Sequence, residues 1–164
     1  MRAVYVVATV FLTFQVSCVV QAFLHRYTGH RPLFRSIYRG HAGSHHRLYR
    51  VDDFEQPTYR DDEDSVSHTF VPAALALALA GWLLLPLDLF LANAACLVLS
   101  YLAHIHVHAQ FHVTGSPLNR FGWFRRLKAL HRQHHADPRT NFGVLGFAYD
   151  AAARTLVDPR RASP

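Results

Sequence analysis

The stretch VPAALALALAGWLLLPLDLFLANAACLVLSYLA, residues 71–103, decides how this chain folds. Its 33 residues carry one charge, Asp88. As a single straight helix it would run about 50 Å, against a hydrocarbon layer of about 30 Å. Pro86-Leu87-Asp88 stands near its middle, and proline removes a backbone donor and ends or kinks a helix. The stretch therefore reads as a transmembrane helical hairpin with short, tilted or partly sunken halves, a shallow re-entrant pair being the alternative. The polar segments on either side require the same thing. Residues 25–70 and 104–156 both hold clustered histidines, and only two crossings return the chain to the side it left. One crossing would put the bilayer between the clusters.

Residues 4–24 form the first apolar run, broken only by Thr9, Thr13, Gln15, Ser17 and Gln21. They are long enough to span as one helix. A cleaved signal peptide is the competing reading, because Val20 and Ala22 resemble a small-residue cleavage site. Cleavage there would leave His25 on a ragged terminus, so a retained N-terminal transmembrane helix is expected. The expected fold is thus an all-α integral membrane domain over 1–164. It has one N-terminal span (4–24), a hairpin (71–103), and a cytosolic histidine-rich helical cap built from 25–70 and 104–156, with a charged, frayed tail at 157–164.

Charge supports the cytosolic placement. The chain has 17 Lys+Arg against 11 Asp+Glu, a formal charge of +6. All the basic residues except Arg2 lie in 25–68 and 104–164, which the positive-inside rule assigns to the cytoplasm. No basic helix or aromatic platform stands apart from the apolar runs, so nucleic acid is not the expected partner. Asp52, Asp53, Glu55, Asp61, Asp62, Glu63 and Asp64 make an acidic stretch that reads as a solvated loop or as a docking face for an electron donor. Residues 124–135 read as a basic amphipathic helix, with Phe124, Leu127, Ala129 and Leu130 inward and Arg125, Arg126, Lys128 and Arg132 outward. Cys18 and Cys96 lie inside apolar runs as buried free thiols, and no C-x-x-C pair is present.

Ten of the 13 histidines fall into four clusters. They are His25-x4-His30, His41-x3-His45-His46, His108-x3-His112 and His131-x2-His134-His135. Imidazole is a neutral metal ligand, and i/i+4 spacing stacks two imidazoles on one helical face. In a triplet, the first and a later ring share a face while the neighbour points elsewhere, so a triplet bridges towards a second ion. Ten candidates give about five per metal and leave a position open for O2. A dimetal site made of histidine at a membrane surface follows. Lone His68 reads as a surface or capping residue, His106 is out of phase with the His104/His108/His112 face, and His104 is in phase one turn deeper. A histidine-rich metal sink would be repetitive and unstructured, whereas these histidines are interleaved with aromatic and aliphatic residues at helical spacing. A bis-histidine haem would leave the doublets unexplained.

FLHRYTGHRPLF (23–34), RGHAGSHHRLY (39–49), HVHAQFH (106–112) and FRRLKALHRQHHADPRTNFGV (124–144) together resemble the fatty acid hydroxylase/sterol desaturase superfamily of membrane di-iron oxygenases. Asn141-Phe142-Gly143 after the last doublet adds to the similarity. The resemblance implies a centre of two iron ions, O2 as co-substrate and a lipid-like substrate drawn from the bilayer. It also implies two electrons from an external donor, cytochrome b5-like or ferredoxin-like. Carried onto this chain, the metal ligands would be His25, His30, His41, His45, His46, His108, His112, His131, His134 and His135. Relatives commonly carry a helical pair before the first box where one span stands here, so packing as a homo-oligomer is a further expectation. The implied activity is hydroxylation, or else desaturation, of a C–H bond in a fatty acyl chain, sterol or carotenoid. Trp82, Trp123, Tyr101, Phe111 and Phe124 are candidates to line the substrate route or to anchor at the interface. The rival from another class is a non-enzymatic metal-binding or metal-transport membrane protein, disfavoured as a transporter because 4–24 and 71–103 contain no histidine.

Overall fold

The computed structural model describes residues 1–60 and 66–159. Within them the chain forms seven α-helices: α1 Arg2–Leu24, α2 Arg35–Tyr38, α3 His46–Leu48, α4 Phe70–Leu84, α5 Leu87–Phe111, α6 Gly122–Ala136 and α7 Ala148–Ala152. Two π-helical segments, His25–Gly29 and Arg39–His45, connect the early elements. No strand forms among the described residues; one parallel bridge joins Gln56 to Val113.

Three helical stretches are long and apolar enough to cross a membrane: Arg2–Gly29, Val66–Leu84 and Leu87–Phe111. The break in the central apolar run falls at Leu85 and Pro86, as the sequence predicts. The first half is short, 15 residues over Phe70–Leu84, and the second continues as helix beyond the apolar run, both as expected. A 3-10 turn at Val66–Thr69 lengthens the first, and the second runs unbroken past Ala103 to Phe111, 25 residues in all.

The three helices turn large apolar side chains outward. Val4, Val7 and Phe11 on α1, Leu75, Leu79 and Leu83 on α4, and Leu91, Val98 and Leu99 on α5 are all exposed. A surface of that size is unusual beside water and ordinary beside lipid. The interior is the polar side. Thr13, Ser17, Cys18 and Gln21 of α1 are buried together with Asn93, Cys96, Ser100 and His104 of α5. Small side chains let the two backbones approach, and polar groups hold them, each interhelical bond contributing about 0.6 kcal/mol. Asn93 Nδ2 donates to Thr13 Oγ1 at 2.9 Å, Cys96 Sγ to the Val10 carbonyl at 3.4 Å, and His104 Nδ1 to Gln21 Oε1 at 2.9 Å. Both cysteines are free thiols. At the far end Arg2 grips Asp88 through two bonds of 2.9 Å, so α1 and α5 run parallel with α4 returning between their ends.

At the other end the chain piles up above the helix tips. The bridge at Gln56 fastens residues 54–56 to the end of α5: Gln56 N donates to the His112 carbonyl at 2.8 Å and Thr114 N to the Gln56 carbonyl at 3.0 Å. Phe54, Val107, Phe111, Phe124 and Val144 form the apolar core beneath this cap. Phe111 and Phe124 are therefore core residues, while Trp82 and Trp123 are exposed. Helix α6 departs from the expected face pattern at one position. Lys128 is buried, not outward, because its ammonium meets Glu55 at 2.7 Å and also donates to Asn119 Oδ1 at 3.3 Å. The tail is also more fixed than expected as far as it is described: Val157 N donates to Asn141 Oδ1 at 2.8 Å. Asp61, Asp62, Glu63 and Asp64 of the acidic stretch, and residues 160–164 of the tail, lie outside the described residues.

Candidate metal centre

All ten clustered histidines meet in the cap, in two groups of five. His25, His30, His41, His46 and His134 form the first; His45, His108, His112, His131 and His135 form the second. Within each group the candidate ligand nitrogens lie within 4.8 Å of one another. The groups adjoin: His46 stacks on His135 at 4.1 Å between ring centroids, and His41 on His45 at 5.1 Å.

Backbone geometry explains the sorting, and it corrects the i/i+4 expectation for the early boxes. His25 and His30, and likewise His41 and His46, are five residues apart, and each pair is spanned by a π-helical segment. An i→i+5 ladder holds more residues per turn, so side chains five apart share a face. His45, four residues after His41, is thereby thrown to the second group. In the last box the spacing is α-helical: His131 and His135 share the second group and His134 faces the first. Each triplet thus contributes to both groups.

Close packing permits this. A Cβ on Gly29 would come within 2.9 Å of His41 Cδ2 and 3.2 Å of Val66 Cγ2, so only glycine lets the first two boxes approach. A Cβ on Gly143 would lie 2.1 Å from the Gly146 carbonyl oxygen.

Four imidazoles are oriented by main-chain carbonyls. His25 Nδ1 donates to Phe142 O and His134 Nδ1 to Thr140 O, each at 2.7 Å. In the second group His112 Nδ1 donates to Phe54 O at 3.0 Å and His135 Nδ1 to Tyr49 O at 2.7 Å. A proton held on Nδ1 leaves the Nε2 lone pair bare. Each of these bare nitrogens faces the Nε2 of another histidine. His25 Nε2 is 2.7 Å from His41 Nε2, and His30 Nε2 is 3.0 Å from His134 Nε2. His131 Nε2 lies 3.2 Å from His112 Nε2 and 3.1 Å from His135 Nε2, and it cannot donate one proton to both. Both nitrogens of His46 are buried without a hydrogen-bond partner. Nitrogens crowded this closely, with too few ring protons to bridge them all, are suited to positive charge placed among them. With a metal–nitrogen distance of about 2.1 Å, two ligands at right angles stand about 3.0 Å apart, the spacing seen here. The donor set fits a transition-metal ion in each group.

Burial works in the same direction. It holds His30, His45, His46, His131 and His135 well below the usual histidine value, with the crowd of neighbouring imidazoles adding to the effect. Burial pushes His134 down to about 3, although its bond to the Thr140 carbonyl opposes the shift. Neutral imidazoles are the form that ligates metal.

The other three histidines lie outside both groups. His68 and His106 are exposed. His104 is buried against Phe70 and bonded to Gln21, its ring centroid 6.2 Å from that of His108.

Asp150 is the residue that the sequence reading misses. It is fully buried, and its carboxylate accepts from Phe142 N and Gly143 N at 2.8 Å each and from Thr155 Oγ1 at 2.7 Å. It thereby fixes the loop whose Phe142 carbonyl orients His25. Asn141, in the left-handed region at φ 52°, starts this loop and anchors it by donating to the Leu130 carbonyl at 3.0 Å. Asparagine tolerates that conformation better than most residues. The available signal was that Asp150 is the lone charge in FGVLGFAYDAAA, 142–153.

The family model described as fatty acid hydroxylase matches residues 9–155, a span that includes every clustered histidine and Asp150. No curated protein and no solved structure matches the chain.

Proposed function

The chain belongs to the fatty acid hydroxylase family, and from that premise we propose that it is an O2-dependent di-iron membrane oxygenase that hydroxylates, or else desaturates, a C–H bond of a lipid-like substrate. One observation carries the reading: ten imidazoles sorted into two adjoining groups of five, at one end of three membrane-length helices. His25, His30, His41, His46 and His134 would hold one iron, and His45, His108, His112, His131 and His135 the other. Bound iron would supply the oxidising power, with O2, to break a C–H bond that no side-chain acid or base can open. In hydroxylation one oxygen atom enters the C–H bond and the other leaves as water, consuming two electrons and two protons. Desaturation removes two hydrogens and reduces both oxygen atoms to water with the same two electrons.

The protein's own groups do three things. The Phe142, Thr140, Phe54 and Tyr49 carbonyls fix four ligand rings in the tautomer that presents Nε2. Burial keeps His30, His45, His46, His131, His134 and His135 neutral. The three helices place the site at the edge of an apolar phase from which a lipid chain is drawn. The electrons come from an external donor of the cytochrome b5-like or ferredoxin-like class, as the family resemblance implies. The cytoplasm is the proposed side for the histidines, since Arg2 is the one basic residue at the opposite helix ends.

Metal analysis with O2 uptake tests this against a metal sink. The oxygenase predicts two irons per chain and lipid-dependent O2 consumption; zinc bound in variable ratio would favour the sink. His41→Ala and His134→Ala should abolish turnover while His68→Ala and His106→Ala leave it nearly intact. Equal activity in all four variants would defeat the assignment.

A further inference from the structure

A cavity of about 500 Å³ opens beside the first histidine group, with His30 and His46 in its wall. Arg26, Arg31, Arg139 and Phe142 also line it. The three cations differ in what balances them. Arg139 is taken up by Asp137, with Nε to Oδ1 at 2.8 Å and Nη2 to Oδ2 at 3.1 Å. Arg26 and Arg31 face no carboxylate among the described residues. They are held by neutral groups instead. Arg26 donates to the Tyr149 hydroxyl at 3.2 Å and lies 5.4 Å over the Phe142 ring, while Arg31 lies 4.7 Å over Tyr27.

Two guanidinium groups lining a pocket, with no carboxylate facing them among the described residues, match a carboxylate or phosphate, which arginine grips through paired N–H donors. The concavity, within the usual range of about 300–1,000 Å³ for small-molecule sites, suits a head group better than a flat protein face. The pocket also reaches the metal ligands themselves, so whatever binds there lies against the first group.

We propose that this cavity is the head-group site for the substrate, and that the substrate is an amphiphile with an anionic head, carboxylate or phosphate, held between Arg26 and Arg31. This rests on the oxygenase reading and narrows it. A sphere of that volume is about 10 Å across, so the carbon oxidised lies near the head and not at the far end of the chain. The redox step is hydroxylation or desaturation of the C–H bond, with O2 and the external donor as co-reactants. Uncharged ring lipids such as sterols and carotenoids lack the group that Arg26 and Arg31 recognise.

The test uses the full chain, iron-loaded, in zwitterionic nanodiscs. Binding of palmitate, methyl palmitate and inorganic phosphate is measured beside iron content, for the wild type, Arg26→Gln and the more exposed Arg31→Gln. Palmitate should bind at least tenfold tighter than methyl palmitate. Each variant should weaken palmitate about five- to twentyfold, leave methyl palmitate unchanged and keep two irons. Equal binding of acid and ester, or palmitate binding untouched in Arg31→Gln, overturns the head-group site while leaving the iron centre standing. Displacement of palmitate by phosphate at equal concentration overturns it in favour of a free-anion site. Wild type that binds no iron defeats the oxygenase reading instead. Product analysis gives the second arm: the oxygen should appear near the carboxylate, and oxidation at the methyl end would refute the proposal.

Discussion

Replacing Asp150 with asparagine should damage a metal centre that Asp150 does not touch. The change keeps size and removes one acceptor. In the native loop, Oδ1 serves Phe142 N and Thr155 Oγ1, and Oδ2 serves Gly143 N at 2.8 Å. With an amide nitrogen in place of Oδ2, two donors face each other across that distance. A hydrogen bond to a charged group contributes about 1.5–3 kcal/mol and a neutral one about 0.5–1.5 kcal/mol. Losing one and weakening two gives a destabilisation of about 3 kcal/mol, concentrated in 141–143. The Phe142 carbonyl then no longer holds His25 Nδ1 at 2.7 Å. Loss of such an orienting partner typically lowers metal affinity about 10- to 100-fold. The assay is a chelator titration of iron from the purified full chain, following each of the two ions. One ion should leave at 10- to 100-fold lower chelator concentration while the other is held as in the wild type. Thr155→Val is the control: it removes one bond to Asp150 Oδ1, should cost about 0.5–1.5 kcal/mol, and should leave both ions in place. An Asp150→Asn protein that holds both irons with wild-type affinity refutes the positioning role.

His45→Ala and His46→Ala alter neighbouring residues yet should each lose a different ion, seen as one iron per chain with distinct residual spectra. Gly29→Ala adds a methyl 2.9 Å from His41 Cδ2 and 3.2 Å from Val66; overpacking should cost about 1–3 kcal/mol and loosen the first ion only, as chelator titration would show. The pH response follows from histidines held neutral by burial. His30, His45, His46, His131, His134 and His135 all protonate less readily folded than unfolded. The unfolded chain therefore binds more protons as pH falls below about 6.5, and stability drops by up to about 1.4 kcal/mol per histidine per pH unit. Denaturant midpoints of metal-free protein should fall from pH 7.5 to 5.5, and a flat profile would count against burial as the cause. Lys128→Ala strands Glu55, a partly exposed partner at 2.7 Å, and should cost about 1–2 kcal/mol, measurable as a lower denaturation midpoint.

The membrane-length helices, the break at Pro86, the ten clustered histidines and the family were legible in the sequence, because each is written in local composition and spacing. Apolar run length is set by bilayer thickness, and Pro86 in mid-run marks the break, whereas Pro72 sits in the first turn of α4, where proline is tolerated. What the tertiary structure alone decided is which histidine belongs with which. That partition depends on two π-helical segments, and the five-residue spacing of His25/His30 and His41/His46 declares them only once the backbone is seen. The orienting groups are main-chain carbonyls of Tyr49, Phe54, Thr140 and Phe142, which every residue possesses and no motif can flag. Asp150 and Lys128 are buried for the same kind of reason: their partners, Gly143 N and Glu55, lie across loops whose path the chain's local pattern leaves open. Linear spacing specifies a side chain's direction only within one regular helix; between elements, direction is settled by packing.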